Sequence, residues 1–140
     1  MAVASMDHRG IDVVLKDMRQ HPQDAKVQEK GCKALMSLAR KADNSVKIGA
    51  GGGVEAIVQA MGGHRGSEGV QRKGCVALLS LGQSNRDILQ WSLGRSNRDI
   101  LQRIKSAGAE EAVQRAIASP GALESTKEYG QKLLSLLRSV

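Results

Sequence analysis

Two cysteines, three histidines and a cluster of glycines are the residues of this chain whose types could support chemistry. Cys32 and Cys75 lie 43 residues apart with no Cys-x-x-Cys pair, so a zinc site has no support. His8, His21 and His64 show no metal-ligand spacing, and His21 and His64 are again 43 apart, in loops. A nucleophile needs a base within reach, yet no Cys or Ser is spaced near a His in a known pattern and no G-x-S-x-G elbow occurs. The Gly-rich run from Gly49 to Gly53 invites comparison with a phosphate loop. Such a loop needs a strand before it and a Gly-Lys-Ser/Thr sequence within it, and neither is present. It reads instead as a turn between helices. One Trp, one Tyr and no Phe leave no platform on which bases could stack. The expectation is a non-enzymatic protein with no cofactor and no metal.

The elements that hold these residues are legible from composition. The chain has 140 residues and is 41% hydrophobic and 25% charged, a balance that suits one folded body. Its apolar residues are mostly Ala, Leu, Val and Ile, which suit packed helices better than a sandwich of strands. No stretch approaches the ~20 apolar residues of a membrane span. The N-terminal residues lack the pattern of a signal or transit peptide, so a cytosolic or nuclear location is expected. The net charge of +7 fits acidic proteins, nucleic acids or anionic lipids alike. The basic residues are scattered, and no run of five or six selects among these partners.

Internal repetition sets the architecture. The segment starting at Val27, VQEKGCKALMSLA, aligns with VQRKGCVALLSLG starting at Val70, an offset of 43. Gly10-Ile11 and Gly53-Val54 share the same offset. A period of 40 to 47 residues belongs to stacked helical repeats, whose units cannot bury their apolar faces alone. A third unit is displaced: LLSL at Leu78 matches LLSL at Leu133, an offset of 55. The excess has a visible source. Residues 79–90, LSLGQSNRDILQ, are followed directly by WSLGRSNRDILQ, residues 91–102, with ten of twelve positions identical.

Within a unit the signals predict three helices. Ser84 and Asp87 have capping-box spacing and open a short first helix. A second runs near Val54–Met61, matching Ile11–Met18 and Glu110–Ala118. The third and longest carries Val27, Cys32, Leu35 and Leu38 at helical spacing. Gly31 and Gly74 recur inside the third helices, where Gly costs ~1 kcal/mol relative to Ala. They mark places where a neighbouring helix comes too close for a Cβ. Cys32 and Cys75 read as small, reduced core residues, because helix axes pack ~8–10 Å apart and a disulfide needs closer Cα atoms.

This three-helix unit, with its Gly-Cys-x-Ala-Leu-x-x-Leu-Ala third helix, resembles the armadillo repeat. The resemblance implies an all-α superhelix in one domain spanning 1–140. The first repeat covers about 10–51 and lacks its first helix. The second covers about 52–90, the duplicated insert about 91–102 and the third about 103–140. In that family the third helices line a concave groove for an extended peptide, with an Asn on each helix pairing with the peptide backbone and, in nuclear-import members, a Trp one turn earlier. Here the Asn positions hold Ser37, Ser80 and Ser135, and the Trp positions hold Lys33, Val76 and Gln131. A hydroxyl lacks the paired donor and acceptor of an amide, and Lys33 repels a basic cargo, so a nuclear-import receptor is disfavoured.

Positive charge takes the place of that ladder. Lys30, Lys33, Ser37 and Arg40 share one helix face. Lys73 repeats Lys30 in the second unit, while Glu128 interrupts the column in the third. The reading is a protein-interaction module or scaffold that binds an acidic extended segment in a basic groove. Two competitors stand beside it: a structural or self-associating piece of a longer array, and electrostatic binding to nucleic acid or anionic lipid, of which nucleic acid is the less favoured. Twelve extra residues would rotate a continuous helix by about 120°. The duplication is therefore expected either to leave one copy as a short extra element, with the first copy holding the regular place and Trp91 partly exposed or at a chain–chain contact, or to permit a swapped dimer.

Overall fold

The computed structural model describes residues 8–83 and 94–140. Among them every regular element is helical and no strand occurs. The first pair is α1 (His8–Gln20) and α2 (Ala25–Leu38). Two triplets follow: α3 (Ala42–Ala50), α4 (Gly53–Gly63) and α5 (Glu68–Gln83), then α6 (Gly94–Ser106), α7 (Ala109–Ala118) and α8 (Glu124–Arg138). Among the described residues the first set has two helices and each later set has three. α2, α5 and α8 lie side by side with α5 in the middle, and α1, α4 and α7 each pack on the long helix of their own set.

Local chemistry explains the boundaries. The Asp24 carboxylate caps α2 by accepting from the backbone N–H groups of Lys26 and Val27. The Ser67 hydroxyl accepts from the Val70 N–H at the start of α5. Gln28 and Gln71, both buried, close the ends of α1 and α4: Gln28 Nε2 donates to the Met18 and His21 carbonyls at 3.0 and 2.8 Å, and Gln71 Nε2 to those of Met61 and His64 at 2.9 and 2.8 Å. A glycine turn joins α3 to α4 and α6 to α7, with Gly52 at φ 88° and Gly108 at φ 87°. A residue with a Cβ would cost ~1–2 kcal/mol in that left-handed conformation. Gly51 and Gly52 of the Gly49–Gly53 run thus form the expected inter-helix turn, while Gly49 lies in the last turn of α3 and Gly53 opens α4.

The recurring helical glycines also act as expected. A Cβ on Gly31 would lie 2.5 Å from Met18 Sδ, and one on Gly74 would lie 2.7 Å from Met61 Sδ. In the third set the same contact belongs to Gly130, where a Cβ would lie 2.7 Å from Ile117 Cδ1. Gly130 follows Gly74 by 56 residues, as Gly108 follows Gly52. At that offset burial also agrees: Ile48 with Ile104, Ile57 with Val113, Ala77 with Leu133, and Leu81 with Leu137 are all fully buried. The third set therefore sits one residue out of step with the offset of 55 given by LLSL. One residue on a helix is 100° of rotation. Matching Leu-Leu pairs survive that slip, but burial does not.

The duplication is shared between two helices. Leu79 and Leu81 of the first copy are buried in α5, which ends at Gln83. Ile100 and Leu101 of the second copy are buried in α6, at the places of Asn44 and Ser45. The Ser84–Asp87 cap and Trp91 lie outside the described residues.

Candidate functional site

The predicted groove residues lie on the row α2–α5–α8. Lys30, Lys33 and Ser37 are exposed along α2, Arg40 is exposed in the turn beyond its end rather than on the helix, and Lys73, Val76 and Ser80 are half-buried on α5. The central helix is the more covered because it has a neighbour on each side. Among the described residues Lys30, Lys33 and Arg40 form no ion pair.

Lys73 differs from them. Its ammonium is bonded to the carboxylate of Glu29 on α2, 44 residues earlier in the chain. Glu29 rests against Gly69, where a Cβ would be 2.5 Å from the carboxyl carbon. The hydrogen bond from Lys73, with the charges of Lys73, Arg72 and Lys33 nearby, holds the Glu29 carboxyl below its usual 4.5 in spite of some desolvation. Sequence reading put Lys73 in the basic column but passed over Glu29, whose partner is distant in the chain. One acid thus lies among three cations, and the column keeps a net positive charge.

In the third set the register of 56 changes which residues correspond. Lys132 and Leu136 of α8 take the places equivalent to Val76 and Ser80, and Tyr129 that of Lys73. Gln131 and Ser135, which the offset of 55 puts in the groove column, correspond instead to Cys75 and Leu79. Cys75 and Leu79 are buried on α5, whereas Gln131 and Ser135 are exposed on α8. Glu128 corresponds to Glu29 and Arg72 rather than to Lys73. The signal that finds this register is the glycine pair Gly52 and Gly108, each of which precedes a second helix.

Both thiols are free and buried. Burial is the main cause that pushes Cys32 and Cys75 up to about 12, so neither supplies a thiolate near neutral pH. The His64 ring bonds the Pro22 carbonyl at 2.8 Å, tying two inter-helix loops together. Glu68, from the first turn of α5, accepts from the Leu123 N–H and the Thr126 hydroxyl, both at 3.1 Å, and so caps α8 from outside. Among the described residues no group of three His, Cys, Asp or Glu could hold one metal ion, and no helix is long and apolar enough to cross a membrane. What the row α2–α5–α8 offers a ligand is ammonium and guanidinium groups, hydroxyls and short apolar side chains. Comparison with protein-family models, curated proteins and solved structures gives no match.

Proposed function

We propose that this chain is a short armadillo-type array that works as a non-enzymatic interaction module, taking an extended acidic peptide along α2 and α5. One observation carries the reading. Lys30, Lys33 and Ser37 are exposed on one face of α2 and Arg40 is exposed in the turn just after it, and the three cations form no ion pair among the described residues. Next to them the half-buried Val76 and Ser80 supply an apolar contact and a hydroxyl on α5. The three-helix sets, their glycine turns and the side-by-side long helices support the family reading. Exposed cations favour encounter with an acidic segment and give specificity more than raw affinity.

The test uses a fluorescein-labelled twelve-residue poly-glutamate peptide at ~150 mM salt, where charges beyond about 8 Å are screened. The double variant Lys33→Glu/Arg40→Glu should weaken binding at least tenfold with the helical signal unchanged. Equal binding by variant and parent would remove the groove from the reading.

A further inference from the structure

Each long-helix set has a face that receives the set before it. On the second set this face is Ala56, Ile57, Ala60, Val70 and Ala77; Ile57, Val70 and Ala77 are fully buried and Ala60 nearly so. On the third set the corresponding Ala112, Val113, Ala116, Thr126 and Leu133 are buried too. On the first set the same places are Val13, Val14, Asp17, Val27 and Ala34. Val13 is 57% exposed, while Val14, Val27 and Ala34 are half-buried. Val14, Asp17, Val27, Lys30, Gly31 and Ala34 line an open cleft of about 380 Å³ between α1 and α2.

The interior of the molecule supplies a template for what fits there. Over the second set this face is covered by α2, whose Glu29 pairs with Lys73. Lys30 is the equivalent of Lys73, and it has no ion-pair partner among the described residues. A second copy of the chain is a poor match. Its opposite end shows Gln131, Ser135 and Arg138, all exposed, at places that are buried in the second set. By analogy with Glu29 and Arg72 it would set Glu128 against Lys30, so the polar face and not the charge makes the match poor.

The geometry points to the α1–α2 end face as a docking site for an acidic amphipathic helix of a partner protein. That helix lies along α2 as α2 lies along α5, with small apolar residues over Val27 and Ala34 and a carboxylate on Lys30. This surface shares Lys30 with the groove column, but its apolar floor of Val14, Val27 and Ala34 lies on the side of α2 towards α1.

The probe is a labelled peptide copying residues 24–40 with Lys26, Lys30, Lys33 and Arg40 changed to Glu, Gly31→Ala and Cys32→Ala. It keeps Glu29, which pairs with Lys73 in the native seam, and has alanine in place of Cys32 on the same side. The full chain is expected to bind it saturably. Ala34→Glu in the chain should weaken binding at least tenfold, as should Lys30→Glu, and changing Glu29→Lys in the peptide should restore binding to the Lys30→Glu chain. Val27→Ser repeats the comparison if Ala34→Glu lowers the melting temperature. Lys33→Glu/Arg40→Glu should leave this binding within twofold. Loss through that groove pair, or binding unaffected by Ala34→Glu and Val27→Ser, would overturn the site. Light scattering that finds a dimer broken by Ala34→Glu would assign the face to a second copy and overturn the acidic helix.

Discussion

The two ends of this molecule are built from equivalent positions yet differ in character. On α8 the places of Cys75, Leu79 and Gly82 hold Gln131, Ser135 and Arg138, which are exposed and polar. On α1 and α2 the places of Ile57, Val70 and Ala77 hold Val14, Val27 and Ala34, still apolar although only half-buried. Terminal repeats of stacked helical arrays need a polar outer face for solubility. The α8 face has that polar character and the α1–α2 face does not. A residue's repeat position thus predicts its surroundings only when the neighbour that would cover it is known.

The sharpest way to break this comparison is a charge at one repeat position in two sets. Ala77→Glu places a carboxylate in a fully buried seam and should cost several kcal/mol, enough to unfold the chain at 25 °C. Ala34→Glu, at the open end, should cost about 1 kcal/mol or less. Denaturant titrations followed by circular dichroism measure both, and similar losses would mean that the two ends do not differ as described.

The thiols sharpen it next. Folded Cys32 and Cys75 stay protonated up to about 12, whereas an unfolded thiol ionises near 9. The folded pKa is the higher one, so their contribution is whole below pH 9 and is lost as pH rises from 9 towards 12. The slope is about 1.4 kcal/mol per pH unit for each thiol. Alanine at both positions should flatten that alkaline decline. Gln131→Cys, at the equivalent open place, should react with a thiol reagent in the native state, while the parent thiols react only on unfolding.

Smaller effects test the register. Gly108→Ala should cost ~1–2 kcal/mol from backbone strain alone, because a Cβ there meets no atom within 4 Å. Gly52→Ala should cost more, since its Cβ would also lie 3.0 Å from Arg19 Nη2. A thermal melt with no loss for Gly108→Ala would undo the pairing of Gly52 with Gly108. The smallest effect belongs to the Glu29–Lys73 bridge, whose groups are 34% and 19% exposed. Glu29→Gln should cost about 1 kcal/mol or less. The Glu29 carboxyl is held below 4.5, so the bridge contributes fully above that pH and is lost as pH falls below it. A parent and a variant with the same acid melting profile would show that the bridge adds nothing.

Helical character, the period of 43, the glycine turns and the burial of both cysteines were legible in the chain, because each follows from local spacing of small and apolar residues. Gln28 and Gln71 also repeat in the sequence, although their role as caps appears only when Met18 and Met61 carbonyls stand above them. The groove candidates on α2 and α5 were legible as a face. On α8 identity at Leu133-Leu134 satisfies two alignments, and the glycine pair Gly52 and Gly108 together with the contact of Gly130 with α7 selects the one that sets Lys132 and Leu136 at the places of Val76 and Ser80.

Sequence alone determined that this protein is helical and repetitive, since periodicity is a property of neighbours along the chain. Tertiary structure decided that Gly130 rather than Tyr129 meets α7, that Glu29 answers Lys73, and that the apolar end lies at α1 and α2. Each of these depends on groups far apart in the chain and close in space, where burial and Coulomb attraction act on distance and not on residue number.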